Sequence, residues 1–218
     1  DSWYPDIWAT LGAITASTTR LHMSISVYVL PLRNPFEVAR ATGTLDVLSG
    51  GRVALGAGTG WMKDEYDLYG IDFATRGQRM DEMIEIIRGL MKGDYFGYKG
   101  QIFELEPIKL CPVPSQPVSI LIGGHADAAL KRAARIGDGW ISAGTTLEEL
   151  DGYLKKLHAF RAGVGREKEP FEIQNMGASA YTPDGVKRLE EMGVDEVIVA
   201  FRDVYKKQPD TTLEEKLA

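Results

Sequence analysis

The sequence predicts an α/β protein of the (β/α)8 barrel type, in which the strands of the main sheet are parallel. Segments of strand and helix character alternate along the 218 residues, and the strand segments are almost continuously apolar. Parallel sheets that helices cover on both faces require such strands. Glycine-rich turns follow two of the strands, at 56–60 and 123–124. In parallel α/β proteins, ligands bind where a strand turns into the next helix.

The first quarter of the chain predicts a helix, a strand, a capped helix and a second strand. Residues 5–18 carry apolar side chains at helical spacing, and residues 21–30 are apolar and β-branched enough for a buried strand. The next helix begins at Asn34, a good N-cap, and ends at the glycine pair that starts at Gly50. Glycine accepts the left-handed conformation of a helix C-terminus. The strand at 52–58 follows at once.

A long helix and a hairpin precede the predicted strand at 118–123. Residues 61–70 predict a loop with some helix, and residues 77–91 predict a strongly amphipathic helix. Two short aromatic and β-branched runs within 95–117 predict a hairpin, which ends in a proline-rich link. Residues 118–123 then predict a buried strand.

The rest of the chain repeats the same alternation of helix and strand. The predicted helices are 127–136, 146–162, 183–192 and one that begins at residue 211, and the predicted strands are 139–142, 171–177 and 194–201. No linker or shift in composition divides the chain, so residues 1–218 predict a single domain.

Six predicted strands are too few for a complete barrel. A (β/α)8 barrel spans about 250 residues, so one strand–helix unit and one further strand, roughly 45–60 residues, are unaccounted for. We therefore expect the first two barrel strands to lie outside this sequence, with the helix at 5–18 as the second helix of the barrel. An open sheet would expose two unpaired edges, which favours a fragment over a naturally short enzyme.

Composition excludes several functional classes. The formal charge of −6 argues against a nucleic-acid partner, because no basic stripe offsets it. Cys111 is the single cysteine, so there is no intramolecular disulfide and no cysteine metal cluster, which fits a reducing cytoplasm. These 218 residues contain no metal ligands at a recognised spacing and no apolar run of the roughly 20 residues that a membrane span needs. They contain no signal peptide either, and the alternative is that an upstream segment is missing, because the sequence starts at Asp1. A cytoplasmic protein without a membrane partner is expected.

The helix at 77–91 is more apolar than one barrel wall needs, at Met80, Met83, Ile87 and Met91. This pattern predicts a homodimer face. The alternative is that these side chains pack against the hairpin at 95–117.

The glycines at 56–60 do not form a dinucleotide-binding motif. The third glycine of a G-x-G-x-x-G pattern should fall at position 61, which is Trp61, and no clean helix follows. A barrel strand whose exit loop brings bare backbone close to a ligand explains these glycines better, and a simple turn is the alternative.

The turn at 123–125 ends a strand just before a helix. The unpaired N–H groups and the positive end of that helix suit a phosphate. His125 is then either a donor to this phosphate or an ordinary surface residue.

Segment 45–52 connects a helix to a strand and therefore lies at the opposite, N-terminal face of the barrel. Its role is structural, and Asp46 and Arg52 are expected to pair there. Because the chain offers no catalytic triad, carboxylate pair or metal site, the residues point to a barrel whose chemistry comes from a bound cofactor.

Four segments together resemble the bacterial luciferase-like flavin superfamily, and within it most closely the coenzyme F420-dependent oxidoreductases. They are the Leu-Asp-Val-Leu-Ser-Gly-Gly-Arg string at 45–52, Gly-Ala-Gly-Thr-Gly at 56–60, the glycine pair at 123–124 and Ala-Arg-Ile-Gly-Asp-Gly-Trp at 134–140. The resemblance covers nearly the whole chain and is strongest over residues 5–145.

The resemblance implies how the cofactor ring is held. In this family the third barrel strand carries a bulge with a non-prolyl cis peptide behind the ring, which corresponds to Ser26–Val27. Gly58, Thr59 and Gly60 are implied to approach the cofactor.

The resemblance also implies the surroundings of the ring. Gly123, Gly124 and His125 fall at the cofactor phosphate. Asp64 stands where related sugar-phosphate dehydrogenases use an asparagine as a polar cofactor contact. Trp61 replaces an acidic substrate-site residue of those enzymes, which argues against the same substrate.

The substrate pocket and the acid–base group are the other functional elements to place. By loop position, Trp61, Tyr66 and the hairpin at 95–105 are expected to wall the pocket of a small-molecule substrate. The acid–base group of the family, often a histidine at the end of the second strand, has no counterpart in the chain and is expected upstream of Asp1.

These observations predict an oxidoreductase that moves a hydride between C5 of reduced F420 and an organic acceptor, or in the reverse direction. An FMN-dependent luciferase-like monooxygenase is the first alternative, since the motifs at the ring do not separate the two cofactors. A truncated flavin-binding protein without catalytic activity is the second.

Overall fold

The computed structural model describes residues 5–200 as an open parallel sheet covered by helices. The helices are α1 (Ile7–Ser17), α2 (Pro35–Ser49), α3 (Lys63–Leu68), α4 (Arg76–Leu90), α5 (Asp127–Ile136), α6 (Leu147–Gly163) and α7 (Pro183–Glu191). The strands are β1 (Met23–Ser24), β2 (Tyr28–Val29), β3 (Val53–Gly58), β4 (Phe96–Lys99), β5 (Glu104–Ile108), β6 (Ser119–Gly123), β7 (Gly139–Ala143), β8 (Glu172–Met176) and β9 (Glu196–Val197). The predicted final helix from residue 211 lies outside the described residues.

The main sheet has the strand order β1–β3–β6–β7–β8–β9, and every pair in it is parallel. Strand β2 also pairs with β3, in line with β1. The predicted α/β fold with a parallel sheet is therefore confirmed. Two predicted strands are shorter than expected: the one at 21–30 is interrupted at 25–27, and within the described residues the one at 194–201 contains only β9.

The helix ends of α2 follow the local chemistry that the sequence predicts. The side chain of Asn34 accepts hydrogen bonds from the N–H groups of Phe36 and Glu37. Gly50 ends the helix at φ 72°, a conformation that costs glycine little. The chain is thereby returned to the sheet as β3, whose far end forms part of the site.

Helix α4 is covered on two sides within one chain, which corrects the expectation that its apolar face is a dimer face. Met80, Met83 and Ile87 have no exposed surface, so they cannot form the predicted dimer face without unpacking. The hairpin of β4 and β5 lies along α4, with the ring of Phe96 against Gly89. Its part in the wall of a substrate pocket remains a prediction.

Glu82 of α4 anchors the tip of this hairpin. Its carboxylate accepts hydrogen bonds from the N–H groups of Gln101, Ile102 and Phe103 at 3.0 Å each. Burial would raise the pKa of Glu82, but these N–H groups and the Gln78 amide more than offset it, so the pKa lies below its ordinary value.

Replacing Glu82 with glutamine is expected to lower the free energy of unfolding by about 1–3 kcal/mol at pH 7. Because the folded-state pKa is depressed, the stabilisation is complete above the unfolded pKa of about 4.3 and is lost as the pH falls through the folded value. The difference from wild type, measured by urea unfolding, should therefore narrow below about pH 4. Glu106→Gln, on the exposed side of β5, is the control, and an equal loss in both variants would contradict the anchor.

At the N-terminal end of the sheet, the expected pair of Asp46 and Arg52 is wrong. The guanidinium of Arg52 donates instead to the carbonyl oxygens of Leu21 at 2.6 Å, Ser49 at 2.7 Å and Thr18 at 2.9 Å. The hydrogen bonds of the guanidinium are thus taken by backbone carbonyl oxygens of α2 and of the segment before β1, and not by the Asp46 carboxylate. Burial raises the pKa of Asp46. The structural role predicted for segment 45–52 fits these contacts.

Candidate functional site

The carboxyl ends of the parallel strands share one rim of the sheet, as strand polarity requires. The segments at this rim are the interruption at 25–27, the turn 58–60 after β3, the turn 123–125 after β6 and the loop 143–145 after β7. Ten of the eleven predicted site residues lie on or beside these segments, and the eleventh, Asp64, is exposed in the first turn of α3.

The interruption between β1 and β2 places one apolar side chain over the ends of two strands. The Ser26–Val27 peptide is cis, which confirms the bond that the resemblance implies. A Cβ atom on Gly58 would lie 2.7 Å from Cγ2 of Val27, and one on Gly123 would lie 2.7 Å from Cγ1. The side chain of Val27 thus occupies space that the two glycines leave free. Because Val27 remains 36% exposed, it presents an apolar surface at the rim, which we call the Val27 ledge.

The side chain of Tyr66 supports the turn after β3. Gly60 has φ 68°, and the Tyr66 hydroxyl donates to the carbonyl oxygen of Thr59. The ring is completely buried and packs edge-to-face on Phe73, with the ring centroids 5.1 Å apart. A ring with no exposed surface cannot wall a substrate pocket. The expectation for Tyr66 is therefore corrected from substrate contact to support of the turn.

Two other predicted residues stand in solvent beyond this turn. Trp61 is 77% exposed, and Asp64 is exposed one turn further on. Lys63 pairs with Asp67 at 2.6 Å on the surface of α3. The roles of Trp61 and Asp64 at a substrate or cofactor remain predictions.

The turn after β6 leaves peptide groups available beside the Val27 ledge. Gly124 adopts φ 120°, and the indole N–H of Trp140 donates to its carbonyl oxygen at 2.9 Å. Helix α5 starts at Asp127, and its N-cap Ala126 has no side-chain oxygen to accept from the first N–H groups. Helix geometry leaves those groups without intrahelical partners, so they can bind an anion.

His125 is held on several sides rather than loose on the surface. Its ring stacks on Tyr153 with the centroids 4.9 Å apart. Its Nε2 lies 3.3 Å from the hydroxyl oxygen of Ser142 and accepts the N–H of Ala143 at 3.3 Å. Burial lowers the pKa of His125 below its ordinary value, and the Glu149 carboxylate offsets only part of this. The ring is therefore neutral at pH 7.

Three polar residues behind His125 were not foreseen. Ser142, Thr145 and Asn175 are buried, and they connect to one another through side-chain hydrogen bonds. They come from the ends of β7 and β8 and the loop between β7 and α6. Polar residues at the carboxyl ends of otherwise apolar strands were the available signal.

Among residues 5–200, no group of three histidine, cysteine, aspartate or glutamate side chains could hold a metal ion. In the same part of the chain, no helix combines the length and apolarity that a bilayer crossing requires.

Comparison with known proteins identifies relatives along nearly the whole chain. An uncharacterised protein of Mycobacterium tuberculosis is 48% identical over 203 residues, which are 93% of this chain and 69% of the relative. An F420-dependent glucose-6-phosphate dehydrogenase of Amycolatopsis mediterranei is 35% identical over 153 residues, which are 68% of this chain and 45% of that protein.

The fold has solved counterparts as well. A riboflavin lyase crystallised with modified FMN and riboflavin superimposes with a TM-score of 0.72 and 19% identity, over 80% of this chain and 45% of that one. The chain thus spans less than half the length of this enzyme. The profile of the luciferase-like monooxygenases matches residues 1–211. The chain belongs to the luciferase-like monooxygenase family.

Proposed function

We propose that this chain forms the cofactor-binding part of an oxidoreductase that moves a hydride between coenzyme F420 and a small organic substrate. One observation carries the proposal: the Val27 ledge, set between Gly58 and Gly123, shares a rim with the anion-binding turn at Gly124 and His125. The 35% identity to an F420-dependent dehydrogenase favours F420 over FMN.

The residues present suit a planar ring with a phosphate-bearing side chain. The Val27 ledge offers apolar contact to one face of a ring, and glycine at 58 and 123 leaves the room in which the Val27 side chain sits. The exposed N–H groups at the start of α5 suit a phosphate oxygen. The bound deazaflavin would supply the hydride-carrying carbon, C5.

This chain's own contribution is placement rather than acid–base chemistry. The buried Tyr66 fixes the turn at Thr59, and the hydrogen bond from Trp140 fixes the carbonyl group of Gly124. Both turns are therefore rigid before a ligand arrives. Preorganised contacts of this kind hold two reactants in a productive geometry at a low entropic cost.

Titration of the purified full-length gene product with F420 and with FMN tests the cofactor assignment. We expect F420 to bind with a perturbed absorption spectrum and FMN to bind more weakly. Preferential binding of FMN would favour the alternative function, an FMN-dependent monooxygenase, over the F420-dependent oxidoreductase. Binding of neither cofactor would contradict the proposal, and binding without turnover of any small-molecule substrate would favour a binding protein without catalytic activity.

Trp61 is proposed as a substrate contact at the mouth of this site. Trp61→Ala is expected to raise the KM for an organic substrate several-fold, since a large aromatic surface is lost, while the Kd for the cofactor stays unchanged. Steady-state kinetics and cofactor titration measure the two effects separately. Tyr95→Ala is the control, because Tyr95 is also strongly exposed but precedes β4, at the other end of α4. An unchanged KM for every substrate would remove Trp61 from the site.

A further inference from the structure

The hydrogen bonds around His125 indicate which ring nitrogen carries the proton. The backbone N–H of Ala143 points at Nε2, 3.3 Å away, and a backbone amide can only donate. This contact favours Nε2 as the unprotonated nitrogen, but at 3.3 Å it is a long hydrogen bond that does not fix the tautomer by itself. The second neighbour of Nε2, the Ser142 hydroxyl at 3.3 Å, then donates its proton to Nε2 as well.

The same direction continues away from the ring through two further side chains. Since the single hydroxyl proton of Ser142 is used, the Thr145 hydroxyl donates to Ser142 across 3.2 Å. The oxygen of Thr145 is then free to accept, and the side-chain NH2 group of Asn175 donates to it at 3.1 Å. An amide NH2 group has no acceptor capacity, so both ends of the chain favour one direction: Asn175 to Thr145 to Ser142 to His125.

Burial keeps water away from this chain of hydrogen bonds. Ser142 has no exposed surface, and Asn175 is 1% exposed. A buried network whose members are all satisfied is rigid, because every rearrangement leaves a polar group unpaired. The stacking on Tyr153 also fixes the plane of the ring.

The remaining ring nitrogen, Nδ1, is the one left for a ligand. A neutral imidazole whose Nε2 accepts carries its proton on Nδ1. Within residues 5–200, Nδ1 makes no hydrogen bond, and it is not among the buried unpaired atoms. It is therefore not fully buried, and His125 directly follows the turn at Gly124.

We infer that His125 is an uncharged hydrogen-bond donor, whose Nδ1–H is offered to an oxygen of the ligand bound at this turn. Ser142, Thr145 and Asn175 are positioning residues that fix its tautomer. The identity of the ligand rests on the proposed function, whereas the tautomer does not.

The charged groups near the ring are consistent with a neutral donor. Glu149 of α6 bears a carboxylate near the ring, and Asp127 of α5 is paired with Lys156 of α6 at 2.9 Å. Because burial lowers the pKa of His125 despite Glu149, the ring does not become charged at neutral pH. The strength of this contact should therefore not change between about pH 7 and pH 8.

Nitrogen-15 NMR of the histidine side chains in the ligand-free protein tests the tautomer. The chain has three histidines, and the exposed His22 and His158 serve as internal references. At pH 8 we expect His125 alone to show a fixed Nδ1–H tautomer, while exposed rings exchange between the two forms. A wild-type ring protonated at Nε2 would overturn the inference.

Asn175→Asp reverses the chain of donors. A carboxylate only accepts, so Thr145 would donate to it and Ser142 to Thr145, which leaves Nε2 of His125 facing an acceptor. We expect the ring to move toward the Nε2–H or the doubly protonated form, with unchanged signals from His22 and His158. Thr145→Val, which deletes the middle hydroxyl, should release the ring into a mixture of tautomers. A fixed Nδ1–H form in both variants would show that these residues do not position the ring.

Ligand binding by variants of His125 tests which ring nitrogen donates to the ligand. The amide nitrogen of asparagine can stand near the Nδ1 position, and that of glutamine near Nε2. We expect His125→Asn to bind F420 nearly as wild type, and His125→Gln and His125→Ala to bind roughly two- to tenfold more weakly, the effect of one neutral hydrogen bond. If His125→Gln rescued binding and His125→Asn did not, the donor would be Nε2. If neither F420 nor FMN bound to wild type, the proposed function would fail while the NMR result stood.

Discussion

Replacing Gly56 with alanine is expected to lower the free energy of unfolding by about 3–4 kcal/mol, enough to remove much of the stability of a typical domain. A Cβ atom at this position would overlap the carbonyl oxygen of Ile25 and lie 2.8 Å from Cδ1 of Ile141. The first of these atoms belongs to the backbone and cannot rotate away. Ile25 also donates its N–H to the carbonyl oxygen of Ala54, so moving it breaks the pairing between β1 and β3.

Gly152→Ala is the matched control for this substitution. Gly152 lies within α6, where an added Cβ atom would meet nothing within 4 Å. Alanine should therefore stabilise the protein by about 0.5–1 kcal/mol through its better helix propensity. Urea unfolding followed by circular dichroism measures both variants. Equal unfolding midpoints for wild type and Gly56→Ala would show that β3 does not lie against the interruption at 25–27.

Features set by neighbours in the sequence could be predicted from the sequence. The cap at Asn34, the stop at Gly50 and the strand at β3 depend on a few consecutive residues and their intrinsic preferences. The parallel arrangement followed from the same kind of information, because alternation of strands and helices leaves few other topologies.

Contacts between distant residues could not be predicted in the same way. Asn175 and His125 are linked through two hydroxyl groups that come from other strand ends, and no periodicity marks such a chain. Arg52 likewise finds carbonyl oxygens of the segment before β1 instead of the carboxylate of Asp46. Spacing in the sequence suggested the ion pair, but geometry in the folded chain decided against it.

Solvent exposure was the other quantity that the sequence left open. Tyr66 and Trp61 both follow β3 within a few residues, yet one is completely buried and the other is 77% exposed. Similarly, an apolar helix face can meet a second copy of the chain or its own hairpin. For α4, the close approach of Phe96 to Gly89 decides in favour of the hairpin.

The Val27 ledge itself is tested by adding one methyl group beneath it. Gly123→Ala would place a Cβ atom 2.7 Å from Cγ1 of Val27, so the side chain must move outward into the space proposed for the ring. We expect about tenfold weaker binding of F420, equivalent to about 1.4 kcal/mol, and a loss of stability of about 1–3 kcal/mol. Fluorescence titration and urea unfolding measure the two effects.

A double-mutant cycle with Val27→Ala shows whether the effect passes through the ledge. In the Val27→Ala background the methyl groups are gone, so Gly123→Ala should cost less than about 1 kcal/mol, which leaves a clear coupling energy between the two positions. Gly58→Ala should couple to Val27→Ala in the same way, since its added Cβ atom would meet the other methyl group at the same distance of 2.7 Å. Additive losses in both cycles would mean that Val27 does not rest on the two glycines. The apolar surface that carries the proposed function would then have to lie elsewhere.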